Sequence, residues 1–190
     1  MGALDDGERV LAPDAETWRS WLEENHRTST GAWLVRARPG SDLEVVGYED
    51  AILHALCFGW VDGPVRVFDE ETSGLWFAPR RPSSGWAATN KARIARLEAE
   101  GRLRPAGVRA IDVAKRNGAW EMLDGPEAGI EPPELTAALD ASPEARANWD
   151  AFPSSTKKFG LTQIATAKRP ETRAARIARI VADAAQGKRP

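Results

Sequence analysis

Apolar positions recur along this chain with two periods, and the changes between them outline its elements. From Asp14 to about His26, Trp18, Trp21, Leu22 and Asn25 fall at i, i+3, i+4 and i+7, which predicts a helix capped by Asp14 with two indoles and Leu22 on one face. "GAWLVRAR" (31–38) alternates as a short strand and is stopped by Pro39-Gly40. "YEDAILHALCFGW" (48–60) is helical by length. Its second half is apolar nearly all round, as befits a helix in the middle of a core, and Gly59 offers the stop. Residues 61–68 and 74–79 read as strands joined through the polar turn "DEETS", an antiparallel hairpin. A helix is expected from about Gly85 to Glu100, closed by Gly101, and another from Pro105 to Asn117-Gly118.

Residues 121–133, rich in proline and glycine, read as a linker. Beyond them the period is helical throughout, with helices over about 133–140, 143–151, 154–167 and from Pro170 to near Gly187. The expected fold is α+β: a small antiparallel sheet packed with helices over 1–120, the linker, and an all-helical C-terminal subdomain over 134–190 packing on that core.

At 190 residues the chain suffices for one compact domain or two small ones. No apolar run approaches the roughly 20 residues that span a bilayer. The acidic start "MGALDDGERV" does not resemble a signal peptide, and Asp6 stands where a myristoylation signal at Gly2 requires Ser or Thr. One cysteine excludes an internal disulfide framework, so a cytoplasmic location is expected. The net charge of −2 conceals four blocks: −9 over 1–76, +7 over 77–118, −7 over 119–150 and +7 over 151–190. Such blocks pair within one fold, or else leave two basic stretches on a shared face that attracts anions.

The first basic block contains "FAPRRPSSGWAATNK" (77–91). A helix starting near Gly85 has amide donors without intrahelical partners, of which Ser83 or Ser84 would cap one. The remaining donors and the helix dipole favour negative charge, and the guanidinium forks of Arg80 and Arg81 suit carboxylate or phosphate. Asn90 and Lys91 extend the polar surface, and Trp86, with Trp60, supplies an apolar wall on which a ring could stack. The structural alternative is that these arginines pair with the chain's own carboxylates and the indoles are core. No Walker or dinucleotide glycine pattern is present, so no nucleotide cofactor is expected. In the last helix, Ala174, Ile177, Ile180, Val181 and Ala184 share an arc that also contains Arg173. A guanidinium pointing inward needs a ligand or an acidic partner, for which Asp62 is a candidate.

Catalytic candidates are few. His54 and Cys57 share a helix side, but the apolar context "ALCFGW" favours an inert buried thiol. Two histidines and one cysteine without ligand spacing do not suggest zinc, and neither G-x-S-x-G nor H-E-x-x-H occurs.

Four ordered stretches, "WLEENHRTSTGAWL", "YEDAILHALCFGWVDG", "FAPRRPSSGWAATNKARIARLEAEGRLRPAG" and "AKRPETRAARI", resemble the YdeI/OmpD-associated, or bacteriocin-protection, family from about Trp18 to Val181. Gln163 departs from the pattern, because that family usually has a tryptophan there. The resemblance implies a small bacterial protein linked by name to tolerance of antimicrobial peptides or toxic compounds, and it supplies no reaction. The leading expectation is therefore a non-catalytic module that holds a small anionic or aromatic molecule. Its binding residues would be Trp60, Asp62, Arg80, Arg81, Ser83, Ser84, Trp86, Asn90, Lys91 and Arg173. A hydrolase of a small toxic metabolite, using water activated by Asp62 or His54, is the second reading. Nucleic-acid binding is the third, with near-neutral charge and no known motif against it.

Overall fold

The computed structural model describes Leu4 and residues 6–190, so Gly2 lies outside the described residues. The chain divides into two compact units, Met1–Ser84 with Asn90–Asn117, and Gly85–Thr89 with Gly118–Pro190.

The first unit is built on a four-stranded mixed sheet of order β1-β2-β4-β3. Strand β1 (Glu8–Val10) lies parallel to β2 (Ala32–Ala37), and helix α1 (Ala15–Asn25) makes the crossover between them. β2 pairs antiparallel with β4 (Thr72–Pro79), which forms the expected hairpin with β3 (Trp60–Val67). The Asp69 side chain closes that hairpin by accepting from the amides of Glu71 (3.0 Å) and Thr72 (2.7 Å). Asp14 caps α1 as expected, accepting from Thr17 N at 2.8 Å. Trp18 and Leu22 on the inner face are fully buried, and Trp18 Nε1 donates to the Ala51 carbonyl at 3.1 Å. Helix α2 (Tyr48–Cys57) is buried from Ala51 to Cys57, which explains its lack of a polar face.

Helix α4 (Pro105–Asn117) begins with proline, as anticipated, and packs closely on the end of α2. Gly107 makes that approach possible, because a Cβ there would lie 2.4 Å from the Cys57 carbonyl oxygen. Gly59, at φ +74°, makes the turn from α2 into β3.

Helix α3 (Ala88–Ala99) starts three residues later than the sequence suggests. The Trp86 amide donates to the Ala119 carbonyl (3.3 Å) instead of entering a helical turn. The Ala88 amide donates to Glu127 Oε2 at 2.7 Å, so a distant carboxylate occupies the place assigned to a serine cap.

The second unit is otherwise helical: α5 (Asp124–Glu127), α6 (Pro133–Asp140), α7 (Pro143–Ala151), α8 (Ser154–Ala165) and α9 (Pro170–Ala185). α5 lies in the stretch read as a linker. Prolines open α6, α7 and α9, where their missing N–H groups cost nothing. Leu135, Leu139, Trp149, Leu161, Ile164, Ile177 and Ile180 form the core of this bundle. A polar knot ties its edge: Glu131 accepts from Arg146 through both carboxylate oxygens (2.8 and 2.9 Å) and from Trp149 Nε1 (2.8 Å). Gln163, the departure from the family pattern, uses its side-chain oxygen to accept from Arg179 and its carbonyl to accept from Arg176, a polar tie between α8 and α9.

Candidate functional site

The ten residues singled out by sequence are distributed over both units, eight in the first and two, Trp86 and Arg173, in the second. In the first unit, Trp60 is core: its ring meets Trp21 edge-on at 5.7 Å, and its Nε1 donates to the His26 carbonyl at 3.4 Å. Arg80 follows β4 directly and is anchored by its amide, which donates to Gly59 O at 3.0 Å. Burial pushes the Arg80 guanidinium down to about 10, against the opposing pull of the Asp62 carboxylate. Arg81 is exposed, and its carbonyl accepts from the Ser84 amide (2.9 Å) in a turn that contains Ser83. Neither serine caps α3, whose start is taken by Glu127. Asn90 and Lys91 are half-buried within α3, where Asn90 Oδ1 accepts from Arg93 at 2.9 Å.

In the second unit Trp86 is buried and packs on Trp120, with ring centroids 5.0 Å apart. Trp60 and Trp86 are thus both enclosed and present no open ring face. Arg173 is half-buried at the start of α9. Its carboxylate partner is Glu134 (3.4 Å) rather than Asp62, and it also donates to the Ile164 carbonyl (3.3 Å).

Arg173 stands between two hollows. One, of about 380 Å³, runs along α6 and α9 and is lined by Ala138, Ala174, Ile177 and Ala178, with Glu134 and Arg173 at its polar end. The other, of about 220 Å³, is lined by Pro126, Ile130, Leu161 and Ile164 and again by Arg173. Their walls are mostly aliphatic, and no aromatic ring contributes. Two half-buried arginines of this unit, Arg146 and Arg173, differ in how they are held. Arg146 is locked by two short bonds to Glu131, a carboxylate only 22% exposed, whereas Arg173 makes one long contact to Glu134, which is 61% exposed. An ion pair of the second kind contributes little and exchanges readily for another anion. The inward-pointing cation was legible from helical periodicity. The hollows were not, because they are made by residues about 40 positions apart.

The remaining chemistry is quiet. Burial raises the Cys57 thiol above its ordinary value, so little thiolate exists at neutral pH. Among the described residues no group of three His, Cys, Asp or Glu could hold a metal ion, and no helix is long and apolar enough to cross a membrane. His54 is buried. Its Nε2 lies 3.5 Å from an Arg102 nitrogen, and its Nδ1 is buried with no partner among the described residues. Burial first, then the charges of Arg102 and Arg19, hold this imidazole below its ordinary value, against Asp50 and Glu16. The unfolded chain therefore binds a proton more readily than the native one. Stability is full above about pH 6.5 and falls as the pH drops below it, by up to about 1.4 kcal/mol per pH unit. Urea denaturation between pH 7.5 and 5 should show this slope, and His54→Leu should flatten it; an unchanged slope in the variant would assign it elsewhere.

Residues 129–187 match the family model described as bacteriocin-protection, YdeI or OmpD-associated, which covers α6 to α9 and therefore Arg173 and the hollow along α6 and α9. Residues 10–110, just over half the chain, match a second model, described as a domain of unknown function, DUF8412, which therefore takes in the first three of the four stretches that carried the resemblance. No curated protein and no solved structure matches the chain. The chain thus belongs to the DUF8412 family and carries, over α6 to α9, a segment of the bacteriocin-protection, YdeI or OmpD-associated kind.

Proposed function

We propose that this protein is a binding module in tolerance of antimicrobial or toxic compounds, and that its helical unit holds a small molecule joining an anionic group to an aliphatic body. The observation that carries this reading is Arg173, a half-buried guanidinium that lines both aliphatic hollows and whose one carboxylate contact among the described residues is long and made to an exposed side chain. The anionic group would displace Glu134 and take the guanidinium fork, and the apolar body would lie along Ala138, Ala174 and Ile177. The family description of this segment agrees with a protective role, and the aliphatic walls favour a chain over a ring.

Octanoate is the simplest probe that combines the two features. Calorimetric titration should show octanoate binding, with octylamine giving no comparable signal. Arg173→Gln should weaken octanoate about tenfold or more, as expected for loss of a charge-assisted hydrogen bond of about 1.5–3 kcal/mol. Lys188→Gln, at an exposed position beyond the end of α9, should leave it unchanged. Equal affinity in the wild type and Arg173→Gln, or preference for the amine, would refute the reading.

A further inference from the structure

The first unit contains a hollow of a different kind, lined by basic side chains. It has a volume of about 260 Å³ and lies between the end of α1, the end of α2 and the start of α4. Arg27, Arg104 and Arg109 line it together with His26, Phe58 and Glu23. We infer that this hollow is an anion site for a phosphate group, free or as a phosphomonoester, separate from the pocket at Arg173.

Three guanidiniums face one carboxylate, which leaves two positive charges uncompensated when His26 is neutral, and a phosphate dianion neutralises both. Only one of the three arginines has a carboxylate partner among the described residues. Arg104 reaches Glu23 at 3.5 Å, while Arg27 and Arg109 make no ion pair. Like charges collected without counter-ions repel each other, and a bound anion removes that cost. Phe58 is buried and its ring lies tilted against that of His26 with centroids 4.9 Å apart, giving a firm wall, while Arg27 and Arg109 are exposed. One edge of the hollow is also rich in donors. The Arg104 side chain keeps a buried Nε with no partner. α4 has no acidic residue in its first turn, Pro105 has no N–H, and Val108 is the first residue whose amide is taken, by the Arg104 carbonyl at 3.1 Å. The amides of Ala106 and Gly107 are left without a partner among the described residues at the positive end of the helix dipole, and Ala106 lines the hollow with the guanidiniums.

Glu23 gives the proposal a sign that a structural role for these arginines would not produce. As the carboxylate on Arg104, it competes with an incoming anion. Removing its charge should tighten phosphate binding, although it deletes a native ion pair.

Amide chemical shifts of the labelled protein, followed during titration with inorganic phosphate at constant ionic strength set with sodium chloride, test this directly. Phosphate should shift Ala106 and Gly107 saturably. The double variant Arg27→Gln/Arg109→Gln, altered only at exposed side chains, should weaken the response at least tenfold, and Glu23→Gln should strengthen it severalfold. Shifts that chloride reproduces, or that the double variant retains, or that weaken in Glu23→Gln, would overturn the proposal. A phosphomonoester that binds more tightly than inorganic phosphate would identify an esterified ligand, and equal affinity a free one. The octanoate titration has its outcome at Arg173, in the other unit, so the two proposals fail separately.

Discussion

Trp149→Ala is expected to cost the helical unit about 3–5 kcal/mol, the range for truncating a large buried aromatic side chain. The indole is fully buried among Leu135, Leu139, Leu161 and Ile180, and it contacts Phe152 edge-on at 6.3 Å. Its loss opens a cavity that short helices joined by tight turns cannot easily close. The change also removes a donor from Glu131, whose carboxyl is held below the ordinary value chiefly by hydrogen bonding from Arg146, with Trp149 contributing. Since a domain of this kind has a total stability of about 5–15 kcal/mol, the loss is a large part of it. Native-state hydrogen exchange should show protection falling across α6 to α9. A change under about 1 kcal/mol would mean that the indole does not carry the packing described here.

Gly107→Ala is expected to destabilise the first unit by about 1–3 kcal/mol or more, although alanine is the better helix former. The added Cβ would lie 2.4 Å from the Cys57 carbonyl oxygen and 2.9 Å from that of Leu56. Both are backbone atoms, so no side chain can swing aside and α4 itself must retreat from α2. Gly118→Ala meets nothing within 4 Å but sits at φ +78°, so its cost is conformational only. Urea denaturation of the two variants separates these causes. If Gly107→Ala were neutral or stabilising, the close approach of α4 to α2 would be refuted.

Elements whose signals are local were read correctly from sequence. The indole stripe and Asp14 cap of α1, the apolar α2 and the proline-led α4, α6, α7 and α9 needed no information from elsewhere in the chain. Strand β1 was missed because three residues give no alternation, and it exists only through its pairing with β2. The start of α3 was misplaced because its cap, Glu127, lies 39 residues downstream. The partner of Arg173 was misassigned for the same reason, Glu134 being 39 residues upstream. For the candidate site, helical period was enough to mark Arg173 as an inward-facing cation, yet the aliphatic hollows depend on how α6 meets α9. The basic hollow of the first unit was hidden by the charge blocks themselves, since Arg27 belongs to an acidic stretch and Arg104 and Arg109 to a basic one.

In the binding role proposed above, Arg173 and the aliphatic walls beside it receive one ligand together. Intermolecular nuclear Overhauser contacts between octanoate and the methyl-labelled protein test it most directly. The octanoate chain should give contacts to the methyl groups of Ile177, Ala138 and Ala174, with the Arg173 Nε signal shifting as the carboxylate arrives. Contacts to other methyl groups only, with the Arg173 signal unmoved at saturation, would contradict it.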